Sequence, residues 1–300
     1  MDHFPPRKIL VPIDFSECSM TALRTAKLFG GTWNSTLEMV HVNEYMLAAL
    51  GRGPSASVLQ GPLEEYYRGL ESRMRDLARD YPRADVRVLE GYAKEVLTGL
   101  AAAETADLVV MGTRGLGGAR HFFLGSVAEA VVRASRVPVL TVHARSPLVW
   151  PTRILAPLNF TAYSDRALLY ARELAYAFGA ALGALYVAEG KSVPVGVSDR
   201  LREHVKDVLG EPWAEKAERI ADAGDPAERV LETVEANRFD LVVVAAHRKP
   251  FWKDLTLGMT AERVLRHSPV PVLSIPSSKV LMREEEDRRL ERRIIESLPR

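Results

Sequence analysis

The chain repeats itself, and this repeat constrains the fold more than any other feature of the sequence. Three blocks of the first half recur in the same order in the second half: Lys8–Ser16 as Arg153–Thr161, Ala106–Gly112 as Phe239–Ala245, and Val137–Val142 as Val270–Ile275. The first pair is offset by 145 residues and the other two by 133, so the first half has the longer middle loop. The pattern predicts two tandem domains, residues 1–147 and 148–278, followed by a charged helical segment at 279–300.

Each half alternates short apolar runs with amphipathic segments, as expected of strands and helices. In the first half the runs predict strands at Ile9–Ile13, Thr36–Val42, Val86–Leu89, Leu108–Met111 and Val137–Val142. Helices are predicted at Leu63–Tyr81, Ala93–Ala103 and Ser126–Ala134, and Ser16 is a suitable N-cap for a helix after the first strand. Because alternating strands and helices form a parallel sheet with helices on both faces, each half is predicted to be a doubly wound α/β domain.

The charge and cysteine content exclude several classes of partner and site. The chain has 40 basic and 39 acidic residues, which argues against binding of nucleic acid through a broad basic surface. Cys18 is the only cysteine, so an intramolecular disulfide and a cysteine-rich metal site are excluded. The longest uncharged apolar stretch, Leu174–Ala188, spans 15 residues. It is too short for a membrane helix and predicts a helix end, a turn at Gly179 and a strand. We expect a cytoplasmic protein with no membrane partner.

Two segments do not fit the alternation. Residues 47–61 are rich in glycine, serine and alanine and predict a mobile loop. The tail, residues 283–300, contains acid–base pairs spaced four residues apart, which favour a helix. This helix could pack on its own domain as a solvated element, or it could form an intersubunit contact.

A glycine-rich loop follows the fourth strand of the first half. Gly112 and Gly115 begin it, and Gly125-Ser126 ends it at the start of a helix. Ligands bind at the carboxyl ends of strands in parallel sheets, and a helix N-terminus favours a phosphate. Glycine also lets backbone N–H groups come close to an anion. Turns use glycine as well, so the spacing by itself leaves both interpretations open.

The motif Gly112-x2-Gly115-x9-Gly125-Ser126 resembles the ATP-binding signature of the universal stress protein family. The blocks Val11–Ser16 and Val137–Leu140 match the same family, and the similarity covers both halves. The resemblance implies two tandem five-stranded domains of the adenine nucleotide alpha hydrolase-like fold, with strand order 3-2-1-4-5. It also implies an ATP-binding protein of the stress response.

The same resemblance implies a set of binding residues. Pro12, Ile13 and Asp14 would line the adenosine pocket, Val42 would offer backbone groups to the adenine edge, and Met111 and Gly112 would pack beside the base and ribose. Gly115, Gly125, Ser126 and Val127 would supply hydrogen-bond donors to the phosphates, and Mg²⁺ would bridge the phosphates and water.

Simpler interpretations remain open for several of these residues. Asp14 and Ser16 could simply stabilise the turn after the first strand, and Met111 could belong to the core. Arg114, Arg120 and His121 could neutralise phosphate charge or form a solvated loop face. For Cys18 we expect a buried, inert thiol.

The second half departs from the signature. Asn159 stands at the position of Asp14, Ala245 at that of Gly112, and Arg248 at that of Gly115. Gly258 is retained, but Met259 replaces the serine that follows it. Our hypothesis is that the first half binds ATP and the second does not, unless Arg248 grips phosphate.

The sequence lacks the motifs of efficient catalysis. The loop has no Walker lysine, and neither His-x-Gly-His nor Gly-x-Ser-x-Gly occurs. We therefore expect an ATP-binding regulatory module. A slow ATPase or self-phosphorylating enzyme and a non-nucleotide interaction scaffold are the alternatives. Single-domain members of the family pair through their fifth strands, so an intrachain pseudo-dimer is expected, and a further homodimer is open.

Overall fold

The computed structural model describes residues 4–44, 60–114, 124–146, 150–246 and 258–277. The chain divides into two compact units, Met1–Trp150 with Leu265–Leu273 and Pro151–Val264 with Ser274–Arg300. The segment predicted at 279–300 and residues 47–59 of the predicted mobile loop lie outside the described residues. Within the described ranges, every helix is too short or too polar to cross a membrane.

The amino-terminal repeat alternates strands and helices as predicted. Its described elements are β1 (Lys8–Pro12), α1 (Glu17–Trp33), β2 (Thr36–Asn43), α2 (Gln60–Ala78), β3 (Ala84–Glu90), α3 (Ala93–Ala102), β4 (Leu108–Gly112), α4 (Ser126–Ala134) and β5 (Val139–Val142). The strands pair in parallel in the order β3-β2-β1-β4-β5. This confirms the doubly wound fold and the strand order 3-2-1-4-5. The last two residues of the predicted loop, Gln60 and Gly61, instead belong to α2, which begins at Gln60.

The carboxyl-terminal repeat follows the same plan. Its described elements are β6 (Arg153–Leu158), α5 (Ala162–Phe178), β7 (Ala181–Ala188), α6 (Val197–Leu209), α7 (Glu211–Lys216), β8 (Glu218–Ala223), α8 (Pro226–Ala236), β9 (Leu241–Ala246), α9 (Met259–His267) and β10 (Val272–Pro276). The strand order within this repeat is β8-β7-β6-β9-β10. Gly179 ends α5 in the left-handed conformation, with a φ of 66°, before β7 begins, as the sequence predicts.

A carboxylate next to the fourth strand fixes the start of the first strand in both repeats. Asp107 accepts hydrogen bonds from the backbone N–H groups of Arg7 and Lys8 at 2.9 and 3.0 Å. Asp240 accepts the equivalent bonds at the start of β6, at 2.9 and 3.1 Å. These bonds satisfy backbone donors at the strand's amino end. The two central strands of each sheet therefore begin in register.

The two repeats fill one core position with different chemistry. Glu38 on β2 is 1% exposed and forms ion pairs with Lys8 at 2.8 Å and Arg87 at 2.5 Å. Burial raises the pKa of Glu38, but the hydrogen bonds to Lys8 and Arg87 outweigh burial and hold that pKa below its usual range. Gly183 stands at the matching position of β7, where the ring of Phe239 occupies the space of a side chain.

We expect Gly183→Ala to lower the free energy of unfolding by about 1–3 kcal/mol, because overpacking a buried site forces neighbours to move. The new Cβ would lie 2.5 Å from Cζ of Phe239, which is 2% exposed. Phe239→Leu in the same chain should reduce this penalty in a double-mutant cycle measured by urea unfolding. The control is Gly99→Ala, inside α3 with open space around its Cβ, which should be neutral or stabilising. An undiminished penalty in the double variant would contradict the explanation.

Candidate functional site

The candidate site lies where the strand order of the first repeat reverses, between β1 and β4. In doubly wound sheets, ligands bind outside the carboxyl ends of the strands at such a point. The structure places six of the predicted residues at or just beyond the carboxyl ends of three neighbouring strands: Pro12, Ile13, Asp14, Val42, Met111 and Gly112. Met111 is only 4% exposed, so most of its side chain also serves the core.

The turn from β1 into α1 is held by side-chain hydrogen bonds. Oδ1 of the half-buried Asp14 accepts hydrogen bonds from the backbone N–H of Ser16 at 3.0 Å and from its hydroxyl at 2.6 Å. Oγ of Ser16 accepts from the N–H of Ser19 at 3.2 Å, which confirms Ser16 as the N-cap of α1. The same Oγ lies 3.2 Å from the carbonyl oxygen of Arg114. The hydrogen bonds of this turn therefore use one carboxylate oxygen of Asp14. Oγ of Ser16 connects the turn to Arg114 in the loop after β4.

An aromatic residue in the left-handed region follows Asp14, a feature that the sequence analysis missed. Phe15 has a φ of 61°, its ring lies 5.0 Å from the His41 ring, and the Arg73 guanidinium stacks 4.0 Å above it. Phe160 repeats this in the second unit, with a φ of 58° and a ring distance of 4.6 Å to Tyr186. A positive φ strains the backbone of a bulky residue, and the ring contacts offset that strain. The presence of phenylalanine at this position in both repeats is the sequence feature that could have indicated this arrangement.

Gly112 is required by packing. A Cβ on this residue would lie 2.7 Å from Cβ of Cys18 and 2.9 Å from the backbone nitrogen of Ser19. The end of β4 therefore packs directly on the first turn of α1, which a larger residue would displace. The sequence predicts Gly112 beside the base and ribose, in a loop whose glycines let backbone N–H groups approach an anion, and the packing on α1 is a further reason for a glycine here. Cys18 itself is buried, as expected.

Thr113 joins the two ends of the glycine-rich loop. It is fully buried, its N–H donates to the carbonyl of Val142 at 3.0 Å, and its carbonyl accepts from the N–H of Gly125 at 2.7 Å. A hydrogen bond of 3.0 Å joins Oγ1 of Thr113 to Nδ1 of His143. A Cβ on Gly125 would lie 3.0 Å from the Thr113 carbonyl oxygen, so glycine favours this close approach.

The pair of Thr113 and His143 is specific to the first repeat. The matching positions of the second repeat hold Ala246 and Pro276, which cannot form this bond. Burial, together with the smaller effect of the positive charge of Arg114, lowers the pKa of His143 to about 4. The imidazole is therefore neutral at pH 7. Sequence reasoning missed this pair. Aligning the repeats at the offset of 133 residues would have shown that Thr113 and His143 have no polar counterparts in the second repeat.

Helix α4 begins without a side-chain cap. Gly125 is its N-cap, with φ of −65° and ψ of 152°, and makes no side-chain hydrogen bond to the first turn. Ser126 at the first helical position is exposed, and Val127 is half-buried. An uncapped helix start leaves N–H groups for an anionic ligand. Of the other predicted loop residues, Gly115, Arg120 and His121 lie outside the described residues.

The matching crevice of the second repeat has different chemistry. Asn159 replaces Asp14, and its Oδ1 accepts a hydrogen bond from the Thr161 hydroxyl at 2.7 Å. Met259, at the position of Ser126, is 80% exposed at the start of α9. Arg248 lies outside the described residues, so its proposed grip on phosphate stays a prediction.

Comparison with known proteins identifies relatives of both repeats. The model of the universal stress protein family matches residues 6–143 and 151–276. A universal stress protein of Mycolicibacterium smegmatis is 27% identical over 284 residues, covering 89% of this chain and 96% of that protein. A universal stress protein structure from Archaeoglobus fulgidus shares the fold, with a TM-score of 0.71 and 23% identity over 92% of this chain and 100% of that chain. A universal stress protein in complex with cAMP aligns with 46% of this chain and 98% of its own, at 24% identity and a TM-score of 0.35.

We expect His143 to make the stability of the first repeat depend on pH. Its pKa falls from 6.5 to about 4 on folding, so this stability is fully present above pH 6.5 and is lost as the pH falls through 4. The loss reaches roughly 2 kcal/mol by pH 5. Urea unfolding at pH 7.5 and pH 5 should show a smaller difference for His143→Gln than for the unmodified chain.

The exposed His267 provides the matched control for this experiment. His267→Gln should retain the pH dependence of the unmodified chain. If His143→Gln retains it as well, burial of His143 is not its source.

Proposed function

Because the chain belongs to the universal stress protein family, we propose that its amino-terminal repeat binds ATP and that the protein acts as a nucleotide-binding regulatory module of the stress response. Nucleotide occupancy would alter a surface that protein partners recognise. The observation that supports this most directly is the uncapped start of α4, held beside the end of β4 by the bond between Thr113 and Gly125. This arrangement leaves uncapped backbone donors beside the end of β4, where we expect the phosphates to bind.

The residues divide between the two ends of the nucleotide. Pro12, Ile13, Asp14 and Val42 would contact the adenosine, and Met111 and Gly112 would flank the base and ribose. Gly115, Gly125, Ser126 and Val127 would donate hydrogen bonds to the phosphates. Mg²⁺ would be held by phosphate and water oxygens and would neutralise part of their charge. In the described residues, no group of three His, Cys, Asp or Glu side chains is placed to hold a metal ion.

Two features favour one nucleotide per chain. In the second repeat, Met259 removes the hydroxyl that Ser126 would offer, and Asn159 removes the charge of Asp14. Each lost hydrogen bond to a charged group costs about 1.5–3 kcal/mol, so two losses weaken binding by orders of magnitude. The pairing of the two fifth strands within the chain and a further homodimer stay predictions.

The state of Asp14 favours binding over turnover. Its Oδ1 already accepts two hydrogen bonds from Ser16, so this oxygen has a structural role in the turn that does not require turnover. A slow ATPase or a self-phosphorylating protein is the alternative. Phosphate release from γ-labelled ATP above that of Asp14→Ala would favour the enzyme, and equal release favours the binding module.

We expect isothermal titration to show one ATP per chain, and Ser126→Glu to weaken this binding by about 10- to 100-fold. An acidic residue in the first turn stabilises a helix, so the variant should fold, while its charge repels the phosphates. Met259→Glu places the same charge at the equivalent position of α9 and should leave ATP affinity unchanged.

Three outcomes would contradict the proposal. Two ATP molecules per chain would show that the second repeat also binds nucleotide. Equal weakening by the two glutamate variants would show that position 126 does not contact phosphate. No ATP binding at millimolar nucleotide would remove the assignment of the first repeat and would favour the scaffold.

A further inference from the structure

The second repeat has a cavity at the strand ends that correspond to the proposed nucleotide site. Its volume is about 190 Å³, and ten of the fourteen described residues that line it are apolar. Leu185, Val230 and Val264 form its floor and are at most 1% exposed. Asn159, Glu189 and Thr260 line its rim and are exposed. An apolar floor with a few polar groups at one side is typical of a small-molecule site.

The volume limits the size of the occupant. Sites for drug-sized ligands measure about 300–1,000 Å³, whereas an apolar cavity of about 150 Å³ holds a benzene ring. At 190 Å³ the cavity accommodates one ring or a pair of fused rings. A nucleoside triphosphate would extend far beyond it, onto a helix start that lacks the serine of the first repeat.

The only charged side chain that lines the cavity within the described residues is Glu189. The matching acid of the first repeat, Glu44, accepts a hydrogen bond from the N–H of Ala93 at 2.7 Å and so serves the start of α3. In the second repeat Pro226 replaces that donor and has no N–H, and Asp225 caps α8 instead. Within the described residues, the carboxylate of Glu189 has no hydrogen-bond or ion-pair partner. The negative charge of Glu189 is therefore available to a ligand at the rim of the cavity.

From this combination we propose that the second repeat binds a small apolar amine, whose ring enters the cavity and whose ammonium group faces Glu189. The floor would stabilise the ring by burial of apolar surface. The carboxylate at the rim would favour a cation and disfavour an anion such as a phosphate. The two repeats would thus take ligands of opposite charge. This inference concerns a site separate from the proposed ATP site and does not depend on it.

Three compounds that share the indole ring, and that carry a positive charge, no charge and a negative charge, test this inference on the full chain. We expect the cation tryptamine to bind more tightly than neutral indole, and indole more tightly than the anion indole-3-acetate. Glu189→Gln should weaken tryptamine by about two- to fivefold, as expected for an exposed ion pair, and leave indole unchanged. The matched variant Glu44→Gln should leave all three affinities unchanged. Equal affinities for the three compounds, or equal effects of the two variants, would overturn the proposal.

The location of binding is tested separately. Val230→Phe fills the floor and should weaken all three compounds by at least about tenfold, whereas Leu97→Phe, at the matching position of the first repeat, should not. A folding-independent measurement uses alanine-methyl NMR of the unmodified chain. Tryptamine should shift the Ala261 methyl signal and not that of its counterpart Ala128. A shift of Ala128 alone, or displacement of tryptamine by ATP and Mg²⁺, would overturn the proposal even if ATP binding by the first repeat is confirmed.

Discussion

The geometry of the candidate site depends on the absence of a side chain at Gly112. With no Cβ, the end of β4 lies against the first turn of α1, where a Cβ would come within 2.9 Å of three atoms of Cys18 and Ser19. That contact holds the β1–α1 turn, with Asp14 and Ser16, beside Arg114, the second residue after β4. Thr113 then ties the loop to Gly125 and the start of α4. Packing inside the domain therefore positions the donors before any ligand is present, as preorganised sites require.

The second repeat keeps the fold and changes this connection. Ala245 introduces a methyl group where Gly112 has none, and the buried polar pair that follows it is replaced by Ala246 and Pro276. Neither replacement leaves a buried polar group without a partner, so the change need not cost stability. The second repeat therefore lacks the hydrogen bond that Thr113 and His143 form in the first repeat, and its crevice is mainly apolar. A repeat can therefore lack the proposed phosphate contacts while its strand ends still form a cavity.

Most of the fold could be predicted because it rests on local patterns. Apolar runs located the strands of the first repeat to within a few residues, Ser16 marked the start of α1, and the resemblance supplied the strand order. The site was less accessible. The pair Thr113 and His143 spans 30 residues and forms only when β4 and β5 lie side by side. Nor does a glycine in a sequence reveal which atoms occupy the space of its missing side chain. For this reason the packing of Gly112 on α1 could not be predicted.

The core shows that the two repeats diverged through linked changes. Glu38 is stable in a buried strand because two neighbouring strands supply Lys8 and Arg87, whereas the second repeat joins Gly183 to Phe239. Replacing only Glu38 or only Gly183 by its counterpart from the other repeat would destabilise the domain that receives it. A glutamate at 183 would collide with Phe239, and a glycine at 38 would leave a cavity and remove the carboxylate that pairs with Lys8 and Arg87. The same logic applies to Gly112, Thr113 and His143 against their counterparts. Each set is consistent only within its own repeat, so the two crevices are free to hold different ligands on one common fold.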